Sequence, residues 1–136
     1  MDEITKILEQ SNVIAVVGLS DNSERPSHRV ASYLLEHGYS IIPVNPEISE
    51  WRGMKSYPSL LGIKGKVDVV DIFRKAEHVP EIVDQAIKIG AKAVWMQLGV
   101  INGEAAAKAR AAGLNVIMDR CMKVEHSRRM SMQGGF

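Results

Sequence analysis

The chain has 136 residues, 46% of them hydrophobic and 24% charged, which suits one domain able to bury about two-thirds of its unfolded surface. Its 17 Lys and Arg against 16 Asp and Glu leave a net charge of +1, and aromatics make up 5%; both numbers argue against nucleic-acid binding, by charge or by base stacking. No apolar run approaches the roughly 18 to 20 residues that span a bilayer, Met1-Asp2-Glu3 is acidic where a signal peptide is basic, and the single Cys121 precludes an intramolecular disulfide or a cysteine zinc cluster. The expectation is a cytoplasmic protein with no membrane partner.

Short apolar runs alternate with amphipathic stretches. Ile4, Ile7 and Leu8 have helical spacing and stop at Ser11-Asn12. Val13 to Val17 is a continuous β-branched run, the signature of a strand buried on both faces of a parallel sheet, and Gly18 stops it. Pro26 starts a helical pattern through Val30, Tyr33 and Leu34, with Gly38 where a C-terminal cap belongs. Ser40 to Val44 reads as a second strand closed by Asn45-Pro46. Glu47 to Lys66 reads as irregular, with a turn or two of helix at most.

Val67 to Phe73 is the third expected strand, and Val79, Ile82, Val83, Ala86 and Ile87 mark one face of a helix ended by Gly90. Lys92 to Gln97 is the fourth strand. Asn102 is the expected N-cap of an Ala-rich helix ended by Gly113, and Asn115 to Met118 is the fifth strand. From Met122 onward the tail reads as a frayed helix and a loose end. Five strands separated by helices or loops predict one α/β domain over 1–136. The expected fold is a three-layer, doubly wound, Rossmann-like sandwich with a five-stranded parallel sheet, in the strand order 3-2-1-4-5.

In such a fold ligands occupy the crevice at the carboxyl ends of the strands. Five loops follow predicted strands: Gly18 to Pro26, Pro43 to Pro46, Phe73 to Glu77, Gln97 to Asn102, and Asp119 to Cys121. In the first, Gly18 allows close backbone approach, Ser20 offers a hydroxyl, and the helix start beside Arg25 suits an anion. Neither G-x-G-x-x-G nor the P-loop pattern is present. The second loop, Pro43-Val44-Asn45-Pro46, lacks the carboxylate that a NAD site places after its second strand, which disfavours a nicotinamide dehydrogenase.

Together these stretches carry a resemblance. Gly18-Leu19-Ser20 with Arg25-Pro26, and His37-Gly38-Tyr39 running into Pro43-Val44-Asn45-Pro46, are similar to the stand-alone CoA-binding domain proteins. So are Val67-Asp68-Val69-Val70-Asp71-Ile72-Phe73-Arg74, Gly90 to Gln97, Ala112-Gly113-Leu114 and Asp119-Arg120-Cys121-Met122. That family is related to the CoA-binding domain of the succinyl-CoA synthetase α subunit, and the resemblance runs from about residue 12 to 130. It implies coenzyme A as the ligand, with the diphosphate at the first loop and the adenine beside the second.

The chemistry of the residues agrees with that implication. Helix N-terminal amides with Ser20 would meet the diphosphate, with Gly18, Leu19 and Pro26 counted in the same cofactor-binding loop, and Arg25, Lys55 and Arg74 supply cations, with Lys55 or Arg52 directed at the 3′-phosphate. Val44, Asn45, Pro46 and Tyr57 would line the adenine side. Ile72, Phe73 and the Gln97-Leu98-Gly99 turn would line the pantetheine arm, with Gln97 bonding an amide.

Catalysis needs a nucleophile with its base, paired carboxylates or a metal. His28, His37, His78 and His126 are scattered and form no metal-ligand pair at helical spacing. His37 suits a helix C-terminus, and Asp71 reads as a structural hydrogen-bond partner. Cys121, on the rim beside Arg120 and near Lys123, reads either as a half-buried small residue or as a thiol able to form a mixed disulfide with oxidised coenzyme A. The ligases that share the fold need a second domain, which is not expected after residue 122. The reading is therefore a binder of coenzyme A or an acyl-CoA without evident catalytic residues. The alternatives are an NAD(P)-linked oxidoreductase and a nucleotide-sensing interaction domain. Arg128, Arg129, Met130 and Met132 leave a homo-oligomer or a partner enzyme open against a solvent-facing tail.

Overall fold

A computed structural model of the protein describes residues 2–133. Its chain order is α1 (Glu3–Gln10), β1 (Val13–Val17), α2 (Pro26–Glu36), β2 (Ser40–Val44), a hairpin of β3 (Glu50–Trp51) and β4 (Met54–Lys55), and then β5 (Val69–Ile72). It continues with α3 (Val79–Lys88), β6 (Ala93–Met96), α4 (Gly103–Ala111), β7 (Asn115–Ile117) and α5 (Met122–Gln133). Single 3₁₀ turns occupy Leu60–Gly62 and Ala76–His78.

Five strands form one parallel sheet in the order β2-β1-β5-β6-β7. Alternation along each strand splits the core into two layers. Ile14, Val16, Val69, Ala93 and Trp95 pack under α1, α2 and α5, while Ala15, Val17, Val70, Ile72, Val94 and Met96 pack under α3 and α4. The doubly wound class expected from the apolar runs is the one observed.

The strand order is not the expected one. Counting the five sheet strands along the chain, it is 2-1-3-4-5, with β5 beside β1 instead of outside β2. Pro43 supplies the physical reason. Its carbonyl accepts from Tyr57 N at 3.0 Å on the outer side of β2, and in a strand a residue's amide position points the same way as its carbonyl. The missing N–H of Pro43 therefore faces outward, where no full ladder can form, and β2 must be an edge. Asn45 N to Tyr57 O (2.9 Å) and the Val44–Tyr57 bridge fill that edge with the connecting segment.

The stretch expected to be irregular contains the β3–β4 hairpin. Arg52 (φ 50°) and Gly53 (φ 82°) are both left-handed, as a two-residue turn matched to strand twist requires. The tail is a continuous helix to Gln133, because Met122 is fully buried and Arg129 ties α5 to α1 through Thr5 Oγ1 at 2.8 Å. Met130 Sδ lies 4.0 Å from the Tyr33 hydroxyl. The expected loose end at 134–136 and the side chain of Met132 lie outside the described residues.

Candidate functional site: the carboxyl edge of the sheet

Because all five sheet strands are parallel, the five loops nominated above emerge on one edge. The winding reverses between β1 and β5, where the first loop begins. Gly18 is indispensable there: its φ is +88°, and a Cβ would stand 2.5 Å from the Phe73 carbonyl oxygen and 3.1 Å from Arg74 Cδ.

Side-chain bonds join the loops on either side of the switch point. Asn45 Nδ2 donates to Leu19 O at 2.9 Å, linking the second loop to the first. Asn102 Nδ2 donates to Ala76 O at 3.0 Å, linking the fourth to the third. Gly99 N donates to Asp119 Oδ1 at 2.8 Å, and Trp95 Nε1 donates to Arg120 O at 2.8 Å, which hold the fifth.

The first loop is shaped by its own short polar side chains. Ser20 N donates to Ser27 Oγ at 3.0 Å, Asn22 N to Ser20 Oγ at 3.0 Å, and Glu24 N to Asn22 Oδ1 at 2.9 Å. α2 then begins with Arg25 at its N-cap and Pro26 in its first turn, and no side chain caps it. An uncapped helix start concentrates N–H donors and partial positive charge. Arg25 is exposed at that start, Arg74 is exposed on the third loop with its Cδ toward Gly18, and Lys55 Nζ lies 5.0 Å from the Tyr57 ring centre. Among the described residues none of these three cations is in an ion pair.

Not every nominated residue reaches the crevice. Leu19, Val44 and Ile72 are buried in the core, Leu19 under α2 and the other two under α3 and α4, so their side chains line nothing. The Asn45 amide is engaged at both ends, its Oδ1 accepting from Glu47 N at 2.9 Å. Gln97 is largely buried, and its Oε1 accepts from Met122 N at 3.0 Å, which commits its carbonyl end to the start of α5. Ser20, Tyr57, Phe73 and Cys121 are partly exposed, and Arg25, Pro26, Pro46, Lys55, Arg74 and Gly99 are exposed.

Three residues differ from expectation or were missed. Asp71 has no hydrogen-bond partner for either carboxylate oxygen, is 0% exposed between Val16 and Trp95, and burial pushes its carboxyl well above the usual carboxylate range. The structural role foreseen for it belongs to Asp68, at the opposite edge. Burial there works to raise the carboxyl, but the N–H groups of Val13 and Asn12, with Lys66 and Lys92, hold it below its ordinary value. His28 is half-buried at the rim, where Trp51 Nε1 donates to its Nδ1 at 3.1 Å. The Ser20 carbonyl lies 3.1 Å from that same nitrogen, which can serve only one of them; the indole, a donor only, takes the lone pair. The i, i+23 spacing of His28 and Trp51 carries no local signal.

Two hollows of about 490 Å³ lie elsewhere. One, between the start of α1 and α5, is lined by Arg120, Arg128 and Arg129, which all pair with buried Glu125 at 2.8 to 3.7 Å. The other adjoins His37 and His126, whose imidazole is held below its ordinary value first by burial and then by His37. Among the described residues no helix is long and apolar enough to cross a membrane.

The comparisons agree with this geometry. The uncharacterized protein YneT of Bacillus subtilis (strain 168) is 44% identical over 125 residues, covering 92% of this chain and 93% of its own. A solved hypothetical protein from Pyrococcus horikoshii OT3 superposes with a TM-score of 0.90 at 49% identity, covering 93% of this chain and 89% of that one. The ADP-forming acetate–CoA ligase II of Archaeoglobus fulgidus is 33% identical over 81 residues, which are 58% of this chain but 12% of the ligase. The apo dinucleotide-forming acetyl-coenzyme A synthetase 1 of Ca. Korarchaeum cryptofilum superposes at a TM-score of 0.73 and 25% identity, covering 86% of this chain and 28% of that one. The family described as the CoA binding domain matches residues 12–127, from just before β1 into α5, and the chain belongs to that family.

Proposed function

We propose that the chain acts as one coenzyme A-binding module, holding coenzyme A or an acyl-CoA along the carboxyl edge of its sheet without catalysing a reaction on it. The observation that carries this reading is the uncapped start of α2 at the switch point, flanked by the unpaired cations Arg25 and Arg74. A diphosphate there would meet the Ser27 N–H, the Ser20 hydroxyl and two guanidinium groups. The purine would lie against Pro46 and Tyr57, with Lys55 near the 3′-phosphate. The arm would pass Phe73 and Gly99 toward Cys121, a thiol in the reducing cytoplasm we assign to the protein. A carrier, a sensor or one half of a larger assembly would all use such a module.

Isothermal titration with coenzyme A, dephospho-coenzyme A and NAD⁺ tests the reading. Coenzyme A is expected to bind more tightly than its dephospho form, because the 3′-phosphate gains a charge-assisted contact. Equal affinities would remove that contact. Binding of NAD⁺ but not coenzyme A would overturn the reading in favour of an oxidoreductase.

A further inference from the structure

Among the described residues four large aliphatic side chains are markedly exposed: Leu61, Leu98, Ile101 and Val124. Two of the four, Leu98 at 70% and Ile101 at 54%, fall within four consecutive residues of the loop after β6, on the rim of the crevice. That loop is braced. Gly99 takes a left-handed φ of +86° and donates its N–H to Asp119 Oδ1, and Val100 N donates to Gln97 O at 2.8 Å. Asn102 holds Ala76 O with its Nδ2 and caps α4 by accepting from Ala105 N at 3.0 Å. The two apolar side chains are thus held in solvent by a fixed backbone.

The two ends of the crevice differ in chemistry. Arg25, Lys55 and the Tyr57 ring lie at the β1–β2 end, and Arg74 leans from the β5 loop toward Gly18 at the end of β1. From Gln97 to Asn102 there is no charged residue, and nearby Arg120 is drawn to Glu125 at 3.6 Å. A ligand with an anionic, aromatic head and a long neutral arm therefore orients itself one way. From β1 to β6 is two strand spacings, roughly 10 Å, which is within reach of an extended pantetheine arm.

We propose that the Leu98–Ile101 loop is a platform for the acyl group of a coenzyme A thioester, and that the site takes thioesters with an apolar chain in preference to free coenzyme A or a thioester ending in a carboxylate. This rests on the coenzyme A reading above.

The test titrates the full chain with coenzyme A, octanoyl-CoA and succinyl-CoA, each below its micellar range, in wild type and in Leu98→Ser and Ile101→Ser. The readout is the ratio of octanoyl-CoA to coenzyme A affinity within each protein, so any change in coenzyme A affinity cancels. Wild type is expected to favour octanoyl-CoA about tenfold and to gain nothing from succinyl-CoA, and each variant to lose most of that factor. Both positions are exposed, and thermal melts confirm folding. Coenzyme A binding with no octanoyl preference, or a preference undiminished in both variants, overturns the platform and leaves the coenzyme A reading standing. Failure of all three ligands to bind overturns the coenzyme A reading itself.

Discussion

Over β1 and β2 the carboxyl edge of the sheet is held mainly by polar side chains bonding neighbouring loops: Asn45 to Leu19, Trp51 to His28, Ser27 to Ser20. Over β6 and β7 helix caps join such cross-loop bonds, with Asn102 starting α4, Gln97 starting α5 and Asp119 fixing Gly99. The first half leaves Arg25 and Lys55 without ion-pair partners, as the adjoining β5 loop leaves Arg74, whereas Arg120 in the second half faces Glu125. Neutralised charge does little for an anion, while unpaired charge at a helix start attracts one. Unpaired charge is thus unevenly divided along one edge, and what that division does can be tested.

The largest effect is expected at the seam between the halves. Gly18→Ala places a Cβ against the Phe73 carbonyl in a left-handed backbone, which should cost about 2 to 4 kcal/mol and abolish coenzyme A binding, as read by urea unfolding and calorimetry. Binding unchanged in a folded Gly18→Ala protein would show that the seam is not part of the site.

Asp71, on the strand next to that seam, offers a second test. Burial raises its carboxyl, so the folded chain keeps a proton that the unfolded chain loses near its ordinary value of about 4. Stability should therefore fall as pH rises above that value, by up to about 1.4 kcal/mol per pH unit, until the folded carboxyl itself ionises. Asp71→Asn should remove this slope, making the variant the more stable protein at neutral pH and nearly equal to wild type near pH 4. Melts across that range check it, and parallel curves would count against a protonated Asp71.

The two halves should then separate cleanly. Arg25→Ala is expected to weaken coenzyme A and dephospho-coenzyme A alike by roughly tenfold, about 1.4 kcal/mol, with little change in melting. Asn102→Ala should do the reverse, costing about 1 kcal/mol of stability through the lost cap with coenzyme A affinity nearly unchanged. The smallest effect is expected for Lys55→Ala, about threefold, confined to the preference for coenzyme A over its dephospho form. Similar losses for both ligands would place Lys55 away from the 3′-phosphate.

What could be read beforehand follows from how local each signal is. The β-branched run of Val13–Val17, the Pro26 helix start and the Asn102 cap act within a few residues, and each stands where it was expected. Side-chain roles at the rim were less legible. Val44 and Ile72 sit at strand ends like ligand-lining residues, yet their register turns them into the core. Gln97 looked free because its partner, Met122 N, lies 25 residues away. The hairpin turn at Arg52-Gly53 was missed because its two flanking strands are only two residues each.

By itself the amino-acid sequence determined the alternation of strand and helix and the doubly wound class, since apolar period, proline, glycine and caps act over short stretches, and its ordered motifs carried the resemblance to the family. Only the tertiary structure decided that β5 neighbours β1, that Asp71 is sealed without a partner, and which rim side chains meet solvent. Those outcomes depend on pairings between residues distant in the chain, and there the outward-facing amide position of Pro43, with the chain folding back to cover it, ruled out the alternative order.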